Sequence, residues 1–292
     1  MFSVGRPAKL DYARWLCGPP MRNTLQLVCL LLALAALSPA CARASAETAR
    51  PNEPTPDADV TLTSLSVDAG LRRAAQDACP EGMILVEGEY CPNVEQTCVK
   101  YRDPPVGPYA YFRCDLYKKP AKCLGKRIHK RFCIDAVERV ELGTDLPMNK
   151  KSWNDATKVC AESGARLCMA SEWQFACEGE EMCPYPYGWE RDSTACNVDI
   201  ERGLGKVGRL VDHRTPASAH PLCVSPFGVH DMSGNVDEWA TADGAAPGAR
   251  EVMKGSWWMP GRNNCRAYQG GHGAHYAGME SGVRCCTEAS SP

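Results

Sequence analysis

Cysteine constrains this chain more than any other residue: there are eighteen in 292 positions, fifteen of them from Cys79 onward. So many thiols either cross-link a protein in an oxidising compartment or hold metals as thiolates in a reducing one. The N-terminus decides between the two. After Met21-Arg22-Asn23 an apolar run extends from Leu25 to Leu37, followed by the small and polar stretch Ser38-Pro39-Ala40-Cys41-Ala42-Arg43-Ala44-Ser45-Ala46. A basic start, a short apolar core and an A-x-A-like exit describe a secretory signal peptide, and the apolar run is too short to span a bilayer. The expected start is Met21, with residues 1–20 a polar preface. Cleavage follows Ala44 or Ala46, or Cys41 becomes the lipidated first residue, although Ser38 and Pro39 depart from the usual lipobox. The cysteines are therefore read as disulfides of an exported bacterial-type envelope protein that is periplasmic, anchored at the outer membrane or extracellular.

The signal peptide occupies 1–44. Residues 45–78 are rich in Pro, Asp, Thr and Ala, lack cysteine and read as a flexible tether. The cross-linked body spans 79–286, and 287–292 form a short tail. With 33 basic and 35 acidic residues, a net charge of −2, the chain carries no field to attract nucleic acid. Its only route to a membrane is a lipid on Cys41. No repeat of 20 to 50 residues is visible.

Within the body, Met83-Ile84-Leu85-Val86, ended by Glu87-Gly88, and Arg131-Phe132-Cys133-Ile134-Asp135 are strand candidates, and the segment from Cys91 to Cys123 reads as stapled loop. Ser152 caps a helix, Asp155 completes a variant capping box, and Trp153, Ala156, Val159 and Cys160 share a face that Gly164 terminates. A second helix covers Glu172 to Cys177, turning Trp173, Ala176 and Cys177 inward and stopping at Gly179. The remainder is short segments broken by Gly, Pro and Asn turns.

Several motifs resemble those of the formylglycine-generating enzyme (sulfatase-modifying factor) family, in order and in spacing. Ser152-Trp153-Asn154-Asp155-Ala156, Gly164-Ala165-Arg166-Leu167 and Ser171-Glu172-Trp173-Gln174-Phe175-Ala176 are similar to S-W-x-D-A … G-x-R-L-P-T-x-x-E-W-E-x-A. Tyr185-Pro186-Tyr187-Gly188-Trp189, with Cys196-Asn197-Val198, resembles Y-P-W-G … N-V. The run Pro226 to Trp239 resembles N-x-F-G-L-Y-D-M-x-G-N-V-W-E-W, Lys254-Gly255-Ser256-Trp257 resembles R-G-G-S-W, and Gly282-Val283-Arg284-Cys285 resembles the closing G-F-R. The resemblance implies an irregular, C-type-lectin-like α+β fold and covers Cys79 to about Cys133 only loosely.

The same resemblance implies sites. A calcium ion is expected on the carboxylates of Asp231 and Glu238 and the carbonyls of Gly234 and Val236, since a hard cation takes six to eight oxygens. The bland alternative is a Ser233-Gly234-Asn235 turn followed by a strand. Asn197 and Val198 match part of a second calcium site, whose acidic member is Asp212 or none. The family's oxidase activity requires two cysteines that bind copper(I), and Met259 and Asn264 stand at those positions; Cys265 is displaced by one residue. Ser256 and Trp257 fall where the family lines its cleft. Arg266 matches an arginine of the noncatalytic branch, with the structural alternative that it holds a loop carbonyl or carboxylate. His272 and His275 form H-x-x-H among glycines, which argues for a loop over a metal site. Cys160 and Cys285 match a pair the family joins. Cys177 matches a disulfide position whose usual partner falls at Gln269, so it pairs differently or stays free. Fifteen cysteines leave at least one over, and Cys265 is the natural suspect.

The leading expectation is an envelope module that binds a ligand or protein in the family's cleft, its substrate or partner unnamed, with structural calcium and without the copper centre. One rival is a nonheme-iron or other cofactor-dependent oxidoreductase, which needs about three side-chain ligands around an open position. The six histidines, His129, His213, His220, His230, His272 and His275, offer no obvious set. A second rival is a disulfide-rich structural protein with no ligand.

Overall fold

A computed structural model describes residues 78–201 and 209–291. The expected signal peptide, the possible lipid on Cys41 and all but the last residue of the expected tether lie outside these residues. Ala78 belongs to the body: it is buried, and its carbonyl accepts a hydrogen bond from Ser290.

Strand β1 (Met83–Tyr90) pairs antiparallel along its whole length with β6 (Ile128–Asp135). It runs past the expected stop at Glu87-Gly88 because the ladder continues to Tyr90 opposite Ile128. Gly88 leaves room there for the Glu180 carboxylate, which accepts from the Glu89 amide at 2.6 Å. The expected stapled loop is more ordered than its sequence suggested. It contains β2 (Val94–Glu95), β3 (Cys98–Tyr101), β4 (Cys114–Tyr117) and β5 (Lys122–Cys123), paired as β2 with β5 and β3 with β4. The disulfides Cys91–Cys123 and Cys98–Cys114 tie these short ladders, which are too small to stand alone.

Helix α1 (Trp153–Glu162) starts at Ser152, whose Oγ accepts from the Asp155 amide while the Asp155 carboxylate accepts from Ser152 in return. The box satisfies two otherwise orphaned N–H groups. Ala156 and Cys160 are buried, with Trp153 and Val159 packed beside them. Strand β7 (Arg166–Leu167) leads to α2 (Ala170–Glu178), on which Trp173, Phe175, Ala176 and Cys177 are fully buried. Gly179, at φ +67°, caps α2, a conformation in which a side chain would be strained. Strands β8 (Asp237–Thr241), β9 (Glu251–Lys254), β10 (Tyr268–Gln269), β11 (Ser281–Gly282) and β12 (Cys285–Glu288) complete two four-stranded sheets, ordered β1-β6-β12-β7 and β10-β9-β8-β11. Strand β12 extends into the expected tail, with Glu288 opposite Phe132.

Seven disulfides hold the body, consistent with export to an oxidising compartment. Adjacent residues of β12 face opposite ways and anchor different layers: Cys285 bonds Cys160 on α1, and Cys286 bonds Cys168 ahead of α2. Cys79–Cys133 fastens the start of the body, and Cys196–Cys223 fastens a loop in the second half. The expectation of a free Cys265 is corrected. Cys265 is fully buried and bonded to Cys177 on α2, and the free thiol among the described residues is Cys183.

Candidate functional site

Strand β8 separates two environments. Glu238, 1% exposed, faces Arg284, 0% exposed, which donates from Nε at 2.7 Å and from Nη2 at 2.7 Å to its two carboxylate oxygens. Trp173 donates its indole N–H to the same carboxylate at 2.5 Å. Arg284 also donates to the carbonyls of Asp135 and His230, both at 2.8 Å. Burial raises the Glu238 pKa while the Arg284 charge opposes that rise, and both carboxylate oxygens are hydrogen-bonded within this buried ion pair.

Asp237, one residue earlier, points into a cavity of about 350 Å³ lined by Ser256, Trp257, Gly261, Arg262, Asn263 and Gln269. Asp237 is 2% exposed, and its Oδ2 has no hydrogen-bond partner. Burial, and then the nearby Glu280 charge, push its carboxyl well above the usual range, against a hydrogen bond from the Ser256 backbone. Asn263 is also 2% exposed; its Oδ1 accepts from Arg191 at 2.8 Å, and its Nδ2 has no partner. Ser256 and Asn263 both adopt positive φ, +62° and +42°, a sparsely populated conformation that clusters at functional sites. Gly261 completes the shape, because a side chain there would collide with Ser256 Oγ. A second, wider cavity of about 950 Å³ shares Arg262, Ala267, Tyr268 and Gly270 with the first, so the two form one groove beside β9 and β10.

The model of the sulfatase-modifying factor enzyme 1-like domain matches residues 95–289, well over half of the chain. The chain belongs to this family. Inactive C-alpha-formylglycine-generating enzyme 2 of Mus musculus is 30% identical over 160 residues, covering 51% of this chain and 51% of that protein. Hercynine oxygenase of Mycolicibacterium smegmatis is 27% identical over 106 residues, covering 35% and 23%. The chain thus spans about half, or less, of the length of these curated relatives. Among solved structures, that of CarF has a TM-score of 0.48 at 16% identity, covering 72% of this chain and 99% of that one. Membership of the family carries the irregular C-type-lectin-like α+β fold, and two helices among many short strands in the described residues fit it.

The family's expected sites have mixed outcomes in the geometry. Asp231, Gly234, Val236 and Glu238 do share one buried region, but they do not fit a calcium ion as arranged. Both Glu238 oxygens are taken by Arg284, and Asp231 accepts from the Ser218 amide at 2.6 Å. Glu138, unforeseen from the sequence, enters the same cluster, accepting from Asn235 Nδ2 at 2.7 Å and from the Val236 amide at 3.3 Å. Burial, followed by the charges of Asp231 and Glu238, holds its pKa well above normal. The cation that meets Glu238 is the guanidinium of Arg284, whose charge also acts on Asp231 and Glu138. Asn197 donates to the His213 carbonyl and to Asn235 Oδ1, its carbonyl accepts from the Asn235 amide, and Val198 packs with Ala195 and Cys223. Asp212 pairs with Arg214.

At the positions of the family's copper ligands, Asn264 caps the following turn, with Oδ1 accepting from the Arg266 and Ala267 amides, and Met259 is half-buried. Cys265, one residue beyond Asn264, carries no free thiol. Cys183 lines a different cavity with Tyr187 and Trp189, and burial pushes its thiol up to about 11. Arg266 lies across Glu178, donating to both carboxylate oxygens at 2.7 and 2.5 Å, and to the Cys91 carbonyl at 2.6 Å. Beside it, burial pushes Glu178 up to about 7 and draws Lys254 down to about 7. His272 stacks on Tyr276 with centroids 3.8 Å apart and meets Gln269 Nε2 through its own Nε2 at 2.9 Å, whereas His275 Nδ1 meets Asn154 at 3.3 Å, so their ring nitrogens serve separate partners. No group of three His, Cys, Asp or Glu side chains suited to a metal occurs among the described residues.

Sequence reasoning located Ser256 and Trp257 in the cavity wall but missed Asp237, Asn263 and Gln269. A signal for Asp237 was available: the family's G-N-V-W-E-W reads Gly234-Asn235-Val236-Asp237-Glu238-Trp239, so an acid replaces a motif tryptophan.

Proposed function

We propose that this chain is a ligand- or protein-binding module of the cell envelope that uses the groove around Ser256, Trp257 and Arg262, without the family's copper oxidase chemistry. The observation that carries this reading is the state of the sulfur at the vacated positions. Copper(I) chemistry requires soft thiolates facing an open site. Here Met259 and Asn264 replace the pair, and Cys265 is locked to Cys177. What persists is a concave surface with aromatic walls and a few polar groups, the usual form of a recognition site.

Two measurements on the oxidised protein test the reading. Titration with copper(I) against a chelating competitor is expected to show no stoichiometric site. A panel of small amines, amides, carboxylates and saccharides, scanned by thermal midpoint, is expected to include compounds that stabilise the fold, because a ligand bound only by the native state adds RT ln(1 + [L]/Kd). Filling the groove by Gly261→Leu should abolish those shifts. One tightly held copper per chain, or shifts that survive the filling substitution, would overturn the proposal.

A further inference from the structure

Buried polar atoms almost always have partners, and an exception requires a reason. The cavity beside β8 is lined by two such exceptions, the Oδ2 of Asp237 and the Nδ2 of Asn263, each on a residue 2% exposed. The surroundings hold both in place. Asn263 cannot turn its amide away, because its Oδ1 is engaged by Arg191, itself held by Asp199 at 2.7 Å. Asp237 begins a strand whose amide is fixed on the Glu280 carbonyl at 2.7 Å.

The two atoms ask for opposite chemistry. A carboxylate oxygen accepts, and gains most from a charged donor; an amide N–H donates, and needs an oxygen. The charges nearby agree. Glu280 adds a second acid close to Asp237, while Arg262 stands at the rim over Phe112, its guanidinium 5.3 Å from the ring, as a further donor facing the groove. A purely anionic ligand would meet the unpartnered carboxyl, and a purely cationic one would leave Asn263 and Arg262 unmatched. Building on the binding-module reading above, we propose that this cavity recognises an amine that bears a carbonyl or carboxylate oxygen on the neighbouring carbon, the chemistry of a free amino acid or of a peptide amino terminus. Asp237, which gives up its proton as the ligand binds, receives the ammonium, and Asn263 and Arg262 receive the oxygen. Ser256 Oγ, kept clear by Gly261, lies at the same wall.

The test uses the whole oxidised protein and ligand-observed NMR with glycinamide, N-acetylglycinamide, glycine and triglycine. Glycinamide binds and its amine-blocked counterpart does not, a difference of at least about tenfold, as expected for a hydrogen bond to a charged group. Asp237→Asn, which keeps the shape, lowers glycinamide affinity by about tenfold or more. Asn263→Asp, which keeps the Oδ1 partner of Arg191 but turns the donor into an acceptor, lowers it too. Tighter binding of glycine than of triglycine identifies a free amino acid as the source; the reverse order identifies a chain terminus. If N-acetylglycinamide binds as well as glycinamide, the amine assignment is wrong while the binding-module reading survives. If no amine, amide, carboxylate or saccharide shifts the midpoint, both fall. The wild-type comparison of free and blocked amine decides the matter even where a variant does not fold.

Discussion

Glu238 and Asp237 are neighbours on one strand, both carboxylates and both buried, yet their surroundings differ completely. Glu238 meets a bidentate guanidinium and an indole N–H, so each of its oxygens is used. Asp237 retains an oxygen with nothing to accept from. Alternation along a strand accounts for the separation, since successive side chains face opposite sides of the sheet. The difference teaches which of two buried acids belongs to the framework and which faces a ligand. A satisfied charge resists change, whereas an unsatisfied one costs stability that a ligand can restore.

The framework should break hardest, at the bridge that ties α1 to β12 and then at Glu238 itself. Replacing Cys160 and Cys285 together by serine removes a cross-link across a sequence separation of 125, worth at most about 4 to 5 kcal/mol in the chain-entropy model. Chemical denaturation at equal reducing power should show that loss; a change under 1 kcal/mol would mean that the packing of α1 alone holds β12. Next, Arg284→Met strands Glu238 in the interior and should cost about 3 to 5 kcal/mol, a drop in thermal midpoint on the order of 10 °C. Adding Glu238→Gln to it should return part of the loss, because the stranded charge is then gone.

The Asp237 side should respond with the opposite sign. Its folded pKa is raised, so at pH values above the ordinary carboxylate pKa of about 4 the native state holds a proton that the unfolded chain has released. Stability from this group is therefore lost as pH rises from about 4 through the folded pKa. Asp237→Asn removes that loss and should raise the midpoint by a few degrees at pH 7 to 8, with the gain vanishing near pH 4. A lower midpoint at every pH would place Asp237 with the framework instead. The smallest effect concerns Cys183, whose buried thiol is pushed up to about 11: alkylation at neutral pH should be slow in the native protein and complete after unfolding without reductant, adding one label to the body.

The parts of the fold legible in sequence are those governed by local chemistry. Ser152 with Asp155, the inward face of α1 and Gly179 at the end of α2 all fix structure within a few residues, and each is in place. The Cys160–Cys285 link needed the resemblance to a family, because cysteine spacing alone leaves the connectivity open. The short ladders between Cys91 and Cys123 were hidden, since strands of two to four residues carry no periodicity long enough to recognise. The partnership of Glu238 with Arg284, 46 residues apart, and the bonding of Cys265 to Cys177, 88 apart, depend on tertiary placement that no local pattern encodes. Asp237 illustrates the remaining case: its type was visible, and its missing partner was not.

The two adjacent cysteines of β12 also bear on how such a body matures. Four bridges span separations of 16 to 54 and join nearby segments, whereas Cys160 and Cys168 must wait for Cys285 and Cys286, 125 and 118 positions later. As the chain emerges amino terminus first, those two thiols therefore appear long before their proper mates and are open to premature mispairing with whichever cysteine is closest. Fidelity then falls to thiol–disulfide exchange, which must keep Cys160 and Cys168 available until β12 arrives.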